Sequence, residues 1–217
     1  MKRATAWSGA VGAMVLIVLG LIVAQVIRGP TTPGGAAFDD TPAPPCPAGF
    51  VEAVGERARV EERLRSTDEG AALLDALPVN VRYCLGEIDN PVVSDGRLLV
   101  LDERVERPER AARVGHLLHH VVHGLPLPDP LPEHPDCEAL VETALDREAE
   151  AYALEATLRA AFEVPPTRYE FEPEVRAAEG DARVAIVRRY LAEHPDGAQN
   201  VDPLGTAYRQ RCDDASR

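Results

Sequence analysis

The ten residues GHLLHHVVHG, Gly115 to Gly124, hold four of the six histidines of this 217-residue chain. On a helix at 100° per residue, His116, His119, His120 and His123 share one stripe at i, i+3, i+4 and i+7. Val114, Leu117, Leu118, Val121, Val122 and Leu125 fall opposite, a face suited to a core. Imidazoles one turn apart can converge on a single ion with Zn–N bonds near 2.0 Å, leaving further positions for a ligand from elsewhere. All four cannot share it, because His116 and His123 are separated by roughly 10 Å of helix rise. The competing reading is a solvated polar face, but four histidines on one stripe are more than such a face needs. Metal binding is therefore the expectation, since neutral imidazole is the commonest metal ligand. His134 and His194 stand beside prolines and read as surface residues.

Upstream, Pro108 suits the first turn of this helix, and Gly124 suits its end. Before it, PVVSDGRLLVLD places Asp95-Gly96 between two apolar runs, the signature of a hairpin. In VNVRYCLG, Val79, Val81, Tyr83 and Leu85 alternate with polar neighbours as a half-buried strand does. A small antiparallel sheet is expected. Earlier still, Phe50 to Arg65 and the segment after Ser66 or Thr67 read as helices, the second ending at Pro78. Downstream, LPLPDPLPEHP is too rich in proline for helix or strand. From the N-cap candidate Asp136, a long helix then runs to about Phe162. Its core side carries Val141, Ala144, Leu145, Ala151, Tyr152, Leu158 and Phe162, and Glu148 lies within that stripe. A buried carboxylate is costly unless it is paired or bound to a metal. Glu142, Asp146 and Glu150 lie on another face and read as a solvated acidic edge. A further helix over about Pro173 to Glu193 and a short one around Leu204 to Arg211 complete an α+β, mainly helical domain.

Strand, hairpin, histidine helix and acidic helix, in this order, resemble the catalytic core of zincin metallopeptidases of the glutamate-ligand type. That family carries His-Glu-x-x-His on its first helix and a zinc-binding Glu in a Glu-x-x-Ala type motif on its second. The matching residues are His116-Leu117-Leu118-His119-His120 and Glu148-Ala149-Glu150-Ala151, over about Val79 to Phe162. The resemblance implies one zinc ion held by His116, His120 and Glu148. An alternative alignment, Asp146-Arg147-Glu148-Ala149, offers Asp146 as third ligand. The departure is Leu117, which stands where the family has its general-base Glu. A register shifted to His119-His120-Val121-Val122-His123 puts His120 there, and the inverted order makes His119 the substitute base. Loss of a general base removes roughly 10²- to 10⁴-fold of rate. The resemblance thus implies a metallopeptidase-family protein that is either an enzyme or a non-catalytic pseudopeptidase binding a peptide or protein partner. The remaining alternative is a histidine-rich metal-binding protein with no peptide chemistry.

The amino terminus sets the expected location. From Trp7 to Ile27 no side chain is charged, enough helix to cross a bilayer core of roughly 30 Å. Lys2 and Arg3 precede it, which places the amino terminus in the cytoplasm and the rest outside, in a periplasmic or extracellular position. A cleaved signal peptide is the alternative. Residues 1–28 thus read as stub and transmembrane anchor, 29–49 as a Pro/Gly-rich linker, and 50–217 as the extracytoplasmic zincin-like domain. Beyond the anchor every Lys/Arg residue is Arg, and the net charge of -13 disfavours nucleic acid as a partner. Cys46, Cys84, Cys137 and Cys212 form an even set suited to two disulfides in an oxidising compartment. Three pairings are open, among them one in which Cys137 and Cys212 tie down the carboxyl terminus.

Overall fold

The computed structural model describes residues 41–89, 92–94 and 96–216. The expected anchor over 7–27 lies outside them, as does the part of the linker before residue 41. Among the described residues no helix is long and apolar enough to cross a membrane. Within them the run LLVLD forms the strand on which a four-stranded sheet is built. The strands are β1 (Val51–Glu52), β2 (Arg82–Gly86), β3 (Val92–Ser94) and β4 (Leu98–Asp102), in spatial order β1-β2-β4-β3. β3 and β4 pair antiparallel across the expected turn, with Val93 opposite Leu99. β1 also runs antiparallel to β2, but β2 and β4 are parallel, with Tyr83 opposite Leu99. The sheet is therefore mixed, where alternation and the hairpin had suggested an antiparallel one.

The reason lies in burial. β4 is apolar at its first four positions and buried at all five, as strands covered on both faces are. It takes an interior place beside β2 and leaves the short β3 at the edge. Tyr83, Leu99 and Leu101 face the helices, while Cys84, Leu98 and Val100 are covered by Cys46, Phe50 and Ile88. Alternation had put Cys84 on the polar side; a disulfide to Cys46 buries it completely. The end of the expected linker is thereby bound to the domain, and Ala43 is buried with it.

The helices are α1 (Val54–Leu64), α2 (Asp68–Asp75), α3 (Arg107–His123), α4 (Cys137–Ala161), α5 (Glu172–Ala177), α6 (Asp181–Glu193) and α7 (Leu204–Ala215). Thr67 caps α2 by accepting from Gly70 N at 3.1 Å, and Asp136 caps α4 by accepting from Ala139 N at 3.1 Å. Pro108 sits in the first turn of α3, and Gly124 ends it at φ 99°. Element boundaries differ from the periodicity: the last helix runs on to Ala215, and the strand expected from Val79 begins at Arg82. Val51–Glu52 pair with β2 instead of starting the first helix. The helix expected over 173–193 is two, divided before Asp181 by Gly180 at φ 53°.

α4 is the central helix of the described residues and buries apolar side chains on two sides, leaving Glu142, Asp146 and Glu150 as an exposed acidic edge. Leu158 joins the core made with the sheet, α1, α2 and α3. Val141, Leu145, Ala149, Tyr152 and Ala156 join a second core with α5 and α6. Helices α3 and α4 pack most extensively on each other, and small side chains permit it. A Cβ on Gly115 would overlap Leu158 Cδ1, so a larger residue at this crossing would force the Leu158 side chain to move. A second disulfide, Cys137–Cys212, joins the start of α4 to α7. With sequence separations of 38 and 75 residues, chain-entropy restriction makes each disulfide worth about 4 kcal/mol.

Candidate metal centre

Because α3 and α4 approach at Gly115, the histidine stripe faces α4 and is largely withdrawn from water. His119 and His120 are buried, and the His116 side chain keeps 12 % exposure. His116 and His120, one turn apart, bring their Nε2 atoms to 3.2 Å. Glu148 Oε2 lies 3.4 Å from the first and 3.5 Å from the second. Three ligands at 2.0–2.1 Å in a tetrahedral array stand about 3.3 Å from one another. The two imidazoles and the carboxylate therefore already have the spacing of three corners of a zinc site, and the donor set, two nitrogens and one oxygen, fits that ion. Among the described residues this is the one group of three such side chains close enough to share an ion.

The three line a cleft of about 930 Å³ whose other walls include Val93, Leu127, Leu204 and Arg211. Leu117, placed by periodicity on the core face, sits at the boundary, touching the core on one side and lining the cleft on the other. It stands beside His116 in the sequence.

Further residues set the electrostatics of the site. His116 Nδ1 lies 3.2 Å from Glu155 Oε2, and Tyr169 donates its hydroxyl hydrogen to Glu155 Oε1 at 2.8 Å. Tyr152 packs edge-on against the His116 ring at 4.5 Å between centroids. Tyr208, from α7, donates to Glu148 Oε1. Burial opposes charge on His116, but Glu148 and Glu155 outweigh it and hold the imidazole up at about 9. Burial likewise opposes charge on Glu148, and the two imidazoles keep it well below the ordinary carboxylate range. His120 is lowered, chiefly by burial. The metal-free cluster is thus a charged His116, a neutral His120 and two carboxylates.

The remaining candidates stand elsewhere. His119 is turned away from the cleft; its Nε2 is 3.7 Å from Glu150 and its ring lies 4.4 Å from that of His123. Burial and then the neighbouring histidines push it down to about 3. Asp146 is exposed and accepts from Arg188 at 2.6 Å, a partner it shares with Glu142. It is directed to α6, away from the two imidazoles. His134 is exposed, while His194 is half-buried against Tyr190. Glu155 and Tyr208 escaped the sequence reading. Glu155 had a legible signal, since it follows Glu148 by seven residues and repeats its place on α4. Tyr208 had none, because its position depends on how α7 folds back. Searches with the chain find no matching family model, no matching curated protein and no matching solved structure.

Proposed function

We propose that this protein is a membrane-anchored, zincin-like member of the metallopeptidase class that binds one zinc ion through His116, His120 and Glu148. The observation that carries the reading is the three-way spacing of 3.2, 3.4 and 3.5 Å among their donor atoms, formed by two helices in the wall of a cleft of about 930 Å³. An ion held there would act as a Lewis acid toward a carbonyl oxygen of a bound chain. Metal analysis of the purified full-length protein is expected to give one zinc per chain. His116→Ala with His120→Ala is expected to abolish it, and unchanged zinc content in that variant would defeat the assignment.

A second reading, a pseudopeptidase that holds a peptide or protein partner without cleaving it, is favoured by Leu117. An apolar side chain fills the place of the base, and the alternative base His119 is directed away from the cleft. Leu117→Glu separates the two. If only the base is missing, the variant gains chelator-sensitive hydrolysis of an unstructured peptide that the parent lacks. Chelator-sensitive peptidase activity in the parent chain would exclude the pseudopeptidase.

A further inference from the structure

Helix α7 buries little of itself. Of its twelve residues Cys212 alone is buried. Besides the Arg211–Asp129 ion pair and the packing of Leu204 against the second core, attachments along its length hold it. Near its start, Thr206 donates its hydroxyl hydrogen to Asp196 at 2.5 Å and its backbone N–H to Pro195 O at 3.0 Å. In the middle Tyr208 bonds Glu148, and one turn further on Cys212 is joined to Cys137. Tyr208 and Cys212, at i and i+4, share a face, and both meet α4. The disulfide therefore lies one helical turn from the hydroxyl that reaches the site.

That hydroxyl divides the labour of the Glu148 carboxylate. Oε1 accepts from Tyr208, while Oε2 remains 3.4 Å and 3.5 Å from the two imidazole nitrogens. The terminal torsion of a glutamate is broad, so nothing in Glu148 itself selects this orientation. We propose that Tyr208 is a positioning residue that presents one oxygen of Glu148 to the metal, and that the Cys137–Cys212 disulfide keeps it in place. The proposal rests on the metal-centre reading above. It makes zinc affinity depend on a covalent link between α7, which carries no ligand, and the start of α4. Cys137 precedes Glu148 by eleven residues, roughly 16 Å of helix.

Zinc affinity is measured on the full-length protein by competition with a chromophoric chelator. The proteins compared are the parent, Tyr208→Phe, Cys137→Ser with Cys212→Ser, and the combination of all three changes. Outer hydrogen-bond partners of metal ligands are worth about 10- to 100-fold in affinity, the loss expected for Tyr208→Phe. The serine pair is expected to lose a comparable factor, and the combination no more than the larger single loss, because both act through one hydroxyl. Amide hydrogen exchange supplies a readout free of metal. Faster exchange is expected in α7 of the serine pair, with α3 and α4 of Tyr208→Phe unchanged. Tyr208→Phe affinity within about twofold of the parent, or fully additive losses in the combination, overturns the proposal. A parent chain that takes up no zinc overturns the metal-centre reading, and this proposal with it.

Discussion

Zinc entering the proposed site would have to displace a proton, and the geometry points to the one on His116. His116 lies between Glu148 Oε2 at 3.4 Å and Glu155 Oε2 at 3.2 Å, and these carboxylates outweigh burial to hold it at about 9. At about pH 7 such an imidazole is roughly 99 % protonated, whereas a metal ligand must be neutral. Uptake of zinc is therefore expected to release about one proton per ion. Affinity should rise about tenfold per pH unit from about pH 7 to about pH 9, a total of about 100-fold or 3 kcal/mol, and then level off. The assay is a chelator-buffered zinc titration across that range, with calorimetry in two buffers of different ionisation heat to count the proton. Glu155→Gln, which removes one of the two charges raising His116, is expected to move the levelling point to lower pH. Affinity that is flat between about pH 7 and pH 9, or that levels near the ordinary imidazole value, would refute the reasoning.

The same proton affects the metal-free fold. His116 is raised from 6.5 to about 9, so its contribution is fully present below 6.5 and lost as pH rises through 9. Urea unfolding of the metal-free protein should show up to about 3 kcal/mol less stability at the alkaline end. Glu172 is fully buried and accepts from Arg159 Nε at 2.9 Å and Arg176 at 2.5 Å. Glu172→Ala leaves Arg159, 1 % exposed, with only the more distant Glu109 carboxylate at 3.5 Å and is expected to cost about 3–5 kcal/mol in the same assay. Gly115→Ala drives a methyl group to 2.2 Å from Leu158 Cδ1 at a fully buried contact. An overpacking loss of about 1–3 kcal/mol is expected from thermal unfolding, and Leu158→Ala is expected to cost less on that background than in the parent.

Much of this molecule is written in local pattern. The 3.6-residue period places His116 and His120 on one face of α3, and the cap candidates Thr67 and Asp136 mark where α2 and α4 begin. Pro108 and Gly124 fix the limits of the histidine helix, because the first lacks an N–H that the turn does not need and the second tolerates a positive φ. Glu148 stood out for the same reason, an acid within an apolar stripe. These features depend on neighbours within one or two turns, and the residues alone decide them.

What depends on distant partners was not legible. Alternation puts Cys84 on a polar face, yet the bond to Cys46 closes a sulfur and phenylalanine cover over that side of the sheet. The parallel pairing of β2 and β4 follows from β4 being buried on both faces, a property that no window of sequence contains. Nor does the period of α4 say that helices lie on both of its sides, or that Asp146 turns to Arg188 while Glu148 turns to the imidazoles. By itself the sequence determined most of the helices, the caps Thr67 and Asp136 and the two histidines that share a face, because these are set by backbone sterics and short-range hydrogen bonds. Only the tertiary structure decided the sheet order, the choice of Glu148 over Asp146 and the arrival of Tyr208, because each is settled by which buried surface covers which.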